Sequence, residues 1–564
     1  MKFSEFRYER PNYEELKEEF ENMISNIKSS SSAQEQYKYI SKINEIRGDI
    51  SSLKSIAMIR YTINTEDSFY EEENDYWDEY EPFYKELDFK FYEALVNSNF
   101  KTELEEKMTK QFFILAEDTL KSFSPLIIEE LQEENRLSSQ YQKIIATAKI
   151  DFQGEERNIS GLMPFALSKE RNIRKEALEA KYNFFQSKES EIDEIFDKLV
   201  KVRDKIAKKL GFKNFIELGY IRMNRSDYNP DMVENFRKQV KEFIVPVATK
   251  LYARQKDRLG LETLRYFDEK FEFESGNPTP KGDSTWILEN AQKMYKELSM
   301  ETKEFFDFMV ENELLDLENK KGKAGGGYCD YISKYKSPFI FSNFNGTSGD
   351  IDVITHEAGH AFQFYRSRWI EIPELNAPTY ESCEIHSMSM EFLTWPWMEL
   401  FFKEDSDKYK YSHLGGAIKF IPYGITVDAF QHIIYEKPEL TPSERKKAWR
   451  DLEKEYLPHK NYEGCDFLDR GGWWFQQAHI FEVPFYYIDY TLAEICALQF
   501  WKKMNIDRES AWRDYVELCN IGGTKSFLNL VEFAKLKSPF KDGCVSSIIG
   551  SIEEWLLSID DKKL

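Results

Sequence analysis

Cysteine and histidine are scarce in this chain, and long apolar runs are missing. Six cysteines are spread over 564 residues: Cys329, Cys383, Cys465, Cys496, Cys519 and Cys544. None forms a C-x-x-C pair, so neither a disulfide framework nor a cysteine zinc cage is expected; they read as free thiols in a reducing compartment. No stretch approaches the roughly 18 apolar residues that would suggest a membrane span. The opening MKFSEFRYERPNYEELKEEF is charged from its second residue and holds no apolar signal core. Positive charge is in deficit: Lys plus Arg total 77 against 100 acidic residues, a net charge of −23. Such a field repels nucleic acid and anionic membrane and favours solubility. A phosphate-binding loop is also absent. The run KGKAGGGYCD at 321–330 has three consecutive glycines, but no G-K-[ST] closes it; a flexible loop or a close backbone approach is its expected role. The expectation is a cytoplasmic soluble protein without nucleic-acid or membrane partners.

Apolar residues are plentiful. They make up 41% of the chain and aromatics 15%, with 44 Phe and 32 Tyr, so a chain of this length builds more than one core. Helical patterning is predicted over Glu15–Ile27, Ala33–Ile63, Thr65–Val96 and Glu103–Ser122. The acid run at 70–81 carries Tyr70, Tyr76, Trp77 and Tyr80 at helical spacing, which predicts an amphipathic helix with a solvated acidic face. Residues 149–162 alternate around a Gly-Glu-Glu turn and read as a hairpin. The Gly/Pro/Ser-rich segment Phe271–Ser284 reads as a loop. The aromatic and β-branched run SPFIFSNFNG at 337–346 is the strongest strand prediction, and helical patterning resumes after it to Leu557.

Immediately after that strand stands IDVITHEAGHAFQ, residues 351–363, with His356, Glu357 and His360 in the order H-E-x-x-H. Thr347, with Asp350 three residues on, reads as a helix start, and Ile354, Ala358, Ala361, Phe362 and Tyr365 recur at helical spacing. Positions i and i+4 share a helix face, so His356 and His360 can hold one tetrahedral Zn²⁺. Glu357, to the side, can act as general base on a water at the metal. A bare H-E-x-x-H also arises by chance. The apolar flanks and the small Gly359 between the ligands favour a site.

A catalytic zinc site uses three protein ligands. A third His six residues after the second would complete one known pattern, but Arg366 stands there. The alternative is a carboxylate from the next helical segment, PTYESCEIHSMSMEFLTW at 378–395, which Thr379 can cap. Turning about 100° per residue, Glu384, Met388 and Glu391 share one face. Spacing alone does not separate Glu384 from Glu391: one can be the ligand and the other the acceptor that orients a ligand His. Glu381 sits near the helix start, where it can simply favour the dipole; Cys383 and His386 point elsewhere. Further on, HIFEVPFYYIDY at 479–490 offers His479, Tyr486 and Tyr490 at i, i+7 and i+11, one stripe if helical, with Tyr487 about 80° off it. Pro484 suggests that the helix starts near it, leaving His479 on the preceding loop. Core packing competes with an oxyanion role for these tyrosines. His413 lies in YSHLGG, which reads as a turn, and with His432 and His459 it is read as structural.

These residues together resemble the thimet oligopeptidase/oligoendopeptidase F superfamily of zinc metallopeptidases, most closely its bacterial Pz-peptidase-like members. The resemblance rests on SNFNGTSGDIDVITHEAGHAF (342–362), YESCEIHSMSMEFL (380–393) and RGGWWFQQAHIFEVPFYYIDY (470–490), with a looser lead-in at 168–177 and 207–223; it covers roughly residues 165–535. It implies one Zn²⁺ per chain on His356, His360 and Glu384, with Glu391 behind the ligands and Glu357 as base. It places an active-site loop bearing His479, Tyr486 and Tyr490 over the metal; helical phase chooses Tyr486 over Tyr487. It implies a mainly α, two-lobed zincin-type fold around a deep channel, with an N-terminal helical lobe at 1–195 and a catalytic lobe at 196–564. Strand Ser337–Phe344 would be the edge strand on which substrate adds. The expected activity is endopeptidase cleavage of short unstructured oligopeptides. A metallo-carboxypeptidase is the alternative; it needs a cationic clamp, for which Arg366, Arg368 and Arg470 are the nearest candidates. A scaffold with structural zinc is disfavoured, because such a site has no use for Glu357 and lacks four Cys/His ligands.

Overall fold

A computed structural model describes all 564 residues. Its N-terminal third is a stack of long helices: α1 (Tyr13–Ser29), α2 (Ala33–Ile63), α3 (Ser68–Val96) and α4 (Lys110–Ser122). Each begins where a side chain accepts from the first turn: Asn12 from Glu15, Ser32 from Glu35, Asp67 from Phe69, Thr109 from Phe112. The acid run falls inside α3 with Trp77 buried, as its spacing predicts. One acid departs from the solvated face. Glu73 turns inward, where it accepts from the Tyr8 hydroxyl and pairs with Arg10.

Strands are few. β1 (Ile150–Phe152) and β2 (Glu155–Arg157) form the expected hairpin. Its turn is Gln153-Gly154, both at positive φ, the conformation that tight hairpins favour, so Glu155 and Glu156 belong to the strand rather than the turn. β3 (Leu315–Glu318), β4 (Tyr328–Ile332) and β5 (Ser337–Phe344) form the second sheet in the order β3-β5-β4. β5 runs parallel to β3 and antiparallel to β4, with Tyr328 opposite Phe341 and Ile332 opposite Ser337. The expectation that β5 is the edge strand is therefore corrected. It is central, and its run is buried almost throughout because both faces are covered. The two edges of this sheet belong to β3 and β4.

Four helices carry most of the chemistry-bearing residues: α5 (Gly349–Ser367), α6 (Tyr380–Leu393), α7 (Ser406–Glu436) and α8 (Tyr487–Met504). His413 thus lies within α7, not in a turn; two glycines do not break a helix that is buried along most of its length. The apolar side chains gather in two main clusters. The smaller draws on residues 13–116 together with Ile372 and Leu375; the larger runs from Phe6 to Leu556 and encloses the apolar sides of α5 to α8. No helix is long and apolar enough to cross a membrane, and all six cysteines are unpaired.

At Gly359 the main chain of α5 meets that of α6. A Cβ there would stand 2.6 Å from the carbonyl oxygen of His386 and 2.6 Å from Cα of Ser387. Both contacts are backbone of α6, which cannot swing aside. Gly359→Ala is expected to cost about 1–3 kcal/mol by overpacking, read as a lower thermal midpoint. An unchanged midpoint would contradict this account of α5–α6 packing.

Candidate active site

The loop after β5 delivers α5 by a different route from the predicted cap. The Thr347 hydroxyl donates to Asn345 and does not cap the helix. Asp350 instead reaches back, its carboxylate accepting from the backbone N–H of Asn345 and Gly346 at 2.9 and 2.8 Å. This ties the end of β5 to the first turn of α5. At α6, Thr379 occupies the N-cap position, but its hydroxyl pairs with that of Ser382.

With α5 and α6 in contact, one carboxylate oxygen meets both imidazoles. Glu384 Oε2 lies 3.2 Å from His356 Nε2 and 3.3 Å from His360 Nε2. All three donor atoms fall within 4.8 Å of one another. Donors bound about 2.0–2.1 Å from a tetrahedral metal stand about 3.3–3.4 Å apart, so these separations fit a shared ion. The chemistry of the set, two imidazoles and one carboxylate, also matches a catalytic zinc site. Glu357 lies beside it, 6% exposed, and its Oε2 has no hydrogen-bond partner. Burial pushes its carboxyl up, against the pull of His356 and His360. The glycine run closes over it: a Cβ on Gly327 would stand 3.5 Å from Glu357 Oε1, the close backbone approach anticipated for that run.

Behind His356 a relay fixes the ring. The Trp395 indole donates to His413 Nδ1 at 3.3 Å. Indole only donates, so the His413 proton sits on Nε2, which donates to Glu391 Oε2 at 2.7 Å. Glu391 Oε1 accepts from His356 Nδ1 at 2.7 Å, which leaves His356 Nε2 as a lone-pair donor toward Glu384. Burial alone would raise the Glu391 carboxyl, but the hydrogen bonds from His356 and His413 outweigh it and hold it at about 2. Spacing left Glu384 and Glu391 interchangeable; the geometry separates them. His413, read as structural, joins this wall. No sequence motif marks it, and only its place within α7 brings it to Glu391.

On the other side stand the aromatic candidates. His479 lies in a short helix, Ala478–Glu482, and α8 starts only at Tyr487, so the stripe does not follow one continuous helix. The break is at Phe485, φ 71°. It is pinned by the Arg225 guanidinium, which donates to its carbonyl at 2.5 Å, and by Gln431, which accepts from its N–H at 2.7 Å. The kink brings the Tyr486 hydroxyl to Glu384 Oε1 at 2.6 Å and Tyr490 to 3.3 Å from His479 Nε2. The Tyr423 hydroxyl donates to Gln477 Oε1 at 2.8 Å, and the Gln477 amide then donates to His479 Nδ1 at 2.9 Å. His479 is therefore an Nε2–H donor to Tyr490, and burial lowers it to about 4, keeping it neutral. Tyr490 accepts that bond and keeps its own proton to give. The Tyr487 ring packs among those of His479, Tyr490, Tyr423 and Phe420.

A protein-family model described as Peptidase family M3 matches residues 165–548, more than half of the chain. The chain belongs to peptidase family M3. A second model, the Peptidase M3 N-terminal domain, matches residues 3–123. Among solved structures, PZ peptidase A with inhibitor 2 is 58% identical over 100% of both chains, TM-score 0.98. A candidate oligoendopeptidase F from Bacillus anthracis str. Ames is 57% identical, covering 100% of this chain and 99% of that one, TM-score 0.94. A curated relative, an oligoendopeptidase F homolog of Borreliella burgdorferi, is 24% identical over 64% of this chain, which spans 61% of that protein's length. The multi-helical fold and the resemblance to this M3 superfamily are thereby met.

The remaining candidates lie off the ligand set. Glu381 is fully buried and both its oxygens lack partners. Burial first, then the Asp489 charge, push its carboxyl far up. Cys383 donates to the Pro378 carbonyl, and His386 is fully buried. Arg366 donates to Asn520, Arg368 stacks 3.7 Å over Tyr365, and Arg470 pairs with Glu189. None of these arginines joins the ligand cluster.

Two outcomes follow from the relay. Removing it with His413→Ala or Glu391→Gln is expected to weaken metal binding about 10–100-fold, measured by competition with a chromogenic chelator; wild-type affinity in both would refute the relay. Glu494, buried in α8, is raised to about 8 by burial first and then by Glu391. A raised acid stabilises the fold below its unfolded value of about 4.3, and that contribution is lost as pH rises through about 8. The shift corresponds to roughly 4–5 kcal/mol. Glu494→Gln is expected to raise the thermal midpoint at pH 8.5–9 relative to wild type and to change it little at pH 5. A midpoint difference independent of pH would contradict it.

Proposed function

We propose that this chain is a zinc-dependent endopeptidase that cleaves internal bonds of short unstructured peptides in the cytoplasm. The observation that carries the reading is the Glu384 oxygen shared between His356 and His360, with the buried, unpartnered Glu357 beside it. His356, His360 and Glu384 would hold the ion, whose bound charge lowers the pKa of a water and polarises the scissile carbonyl. Glu357 takes the proton of the attacking water. Burial raises its carboxyl, which suits a base that must later give the proton to the leaving amine. Tyr490, accepting from His479, turns its hydroxyl proton to the developing oxyanion. Tyr486 donates to Glu384 Oε1, so its first task is to hold the ligand to one oxygen. The substrate backbone would add along the β4 edge of this sheet.

A carboxypeptidase reading is weaker, since the three arginines considered as its clamp are engaged elsewhere. An internally quenched peptide blocked at both ends separates the two: the proposed endopeptidase cleaves it and a carboxypeptidase does not. Glu357→Gln is expected to retain zinc while losing about 10²–10⁴-fold in kcat. Zinc-loaded Glu357→Gln protein with near wild-type turnover would remove Glu357 from the role of base.

A further inference from the structure

The helix that ends beside the glycine run lies outside the catalytic stretch. α2 falls in the region matched by the M3 N-terminal domain, residues 3–123, whereas the run at 321–330 and Glu357 fall in residues 165–548. The end of α2 and the run are nevertheless joined. The Thr65 N–H and hydroxyl both donate to the Gly322 carbonyl, at 2.6 and 2.8 Å, and the Ala324 N–H donates to the Thr62 carbonyl at 2.8 Å. Gly322 sits at φ 76°, and a Cβ there would stand 3.2 Å from Asn64 Oδ1 and 3.3 Å from Glu66 Cγ, an approach that favours glycine. A side-chain bond adds to these. The hydroxyls of Thr62 and Tyr328 lie 2.6 Å apart. Thr62 donates its one hydroxyl proton to the Ile59 carbonyl at 3.0 Å, so Tyr328 is the donor of the pair.

Between Ala324 and Tyr328 stand Gly325, Gly326 and Gly327, all exposed. A Cβ on Gly326 would meet nothing within 4 Å, and one on Gly325 would meet Ser160 Oγ at 3.9 Å, so little packs against these two. Glycine backbone is also the freest to move. The place of Gly327, whose Cβ position is 3.5 Å from Glu357 Oε1, is therefore set by what flanks it. From the sheet side, the Asn343 amide donates to the Ala324 and Gly326 carbonyls at 2.8 and 2.9 Å. The Lys323 side chain, shielded from solvent, donates to the Asp316 carboxylate and the Ser342 carbonyl, each at 2.5 Å. From the other side the ties are those of α2, and the Thr62–Tyr328 bond fixes the residue next to Gly327.

On the peptidase reading above, we propose that Thr62 and Tyr328 are positioning residues for the base. From the end of α2 they hold the glycine run against Glu357, so the site is complete only with the N-terminal helices seated on the catalytic ones. Thr62 acts through Tyr328 and Gly327 on the space around Glu357 Oε1. What it supplies is orientation: a displacement of about 1 Å in a reacting group is enough to lower a rate severely.

The test is kinetic, with the metal-loaded full chain and an internally quenched peptide. Thr62→Val keeps the side-chain shape and removes one hydroxyl; Tyr328→Phe removes the other. Each is expected to lower kcat about 3–10-fold, the range of one hydrogen bond, with KM and metal affinity close to wild type. Thr62→Ser is expected to keep wild-type kcat. The double variant is expected to lose no more than either single one, because both remove the same bond. In a Glu357→Gln background, where the base is gone, Thr62→Val is expected to change the residual kcat by less than about twofold. A wild-type kcat in folded Tyr328→Phe, additive losses in the double variant, or the full loss repeated in the Glu357→Gln background overturns the positioning role. Zinc-loaded wild type that cleaves no peptide sinks the peptidase reading itself, and the positioning role with it.

Discussion

One backbone contact underlies the site. Where α5 crosses α6, Gly359 lets the two main chains meet at a distance no side chain would tolerate. Every ligand distance depends on that approach, because His356 and His360 belong to one helix and Glu384 to the other. A helix pair held about 8–10 Å apart by ordinary side chains would leave the carboxylate short of the imidazoles. The rest of the architecture keeps this crossing in place. Asp350 clips α5 to β5, the Tyr515 hydroxyl holds the His386 carbonyl at 2.8 Å, and the large apolar core wraps the outer faces.

Around the crossing, the charge of each buried carboxyl follows from the partners it has. Glu391 is charged because two imidazoles share it. Glu494 and Glu381, with no such partners, are pushed up by burial instead, Glu494 to about 8. Asp489 sits between these cases: burial lifts it to about 7 although Arg225 donates to it at 2.7 Å. Arg225 also fastens the strained Phe485, so one buried cation serves both the charge balance of α8 and the kink that presents Tyr486. The cost of a left-handed non-glycine residue, about 1–3 kcal/mol, is carried by that network.

Much of this was legible in the residues, and the exceptions have physical causes. The period of 3.6 placed α5 and α6, and the turn of about 100° per residue put Glu384 and Glu391 on one face. Spacing could not assign them, because the difference lies in what stands opposite: His360 for one, His413 for the other. His413 was hidden, since Gly415 and Gly416 look like a turn until the burial of α7 is known. β5 was legible as a strand but not as a central one; a fully apolar run marks burial on both faces, which edge strands lack. Tyr486 stands beside Glu384 because of the break at Phe485, not because of the helical phase on which it was chosen.

The hydrogen bond from Tyr486 to Glu384 bears on which ions can enter. With Oε1 engaged by a hydroxyl, the carboxylate turns a single oxygen inward. Two imidazole nitrogens and one oxygen are too few and too soft for calcium, which gathers 6–8 oxygens, or for magnesium, which demands an octahedral shell. Discrimination against the abundant hard cations would thus reside in the imidazole-rich set itself, and the tyrosine, by engaging one carboxylate oxygen, would sharpen it. Among first-row transition ions the same trio has little means of choosing, so supply, rather than shape, decides which of them is resident.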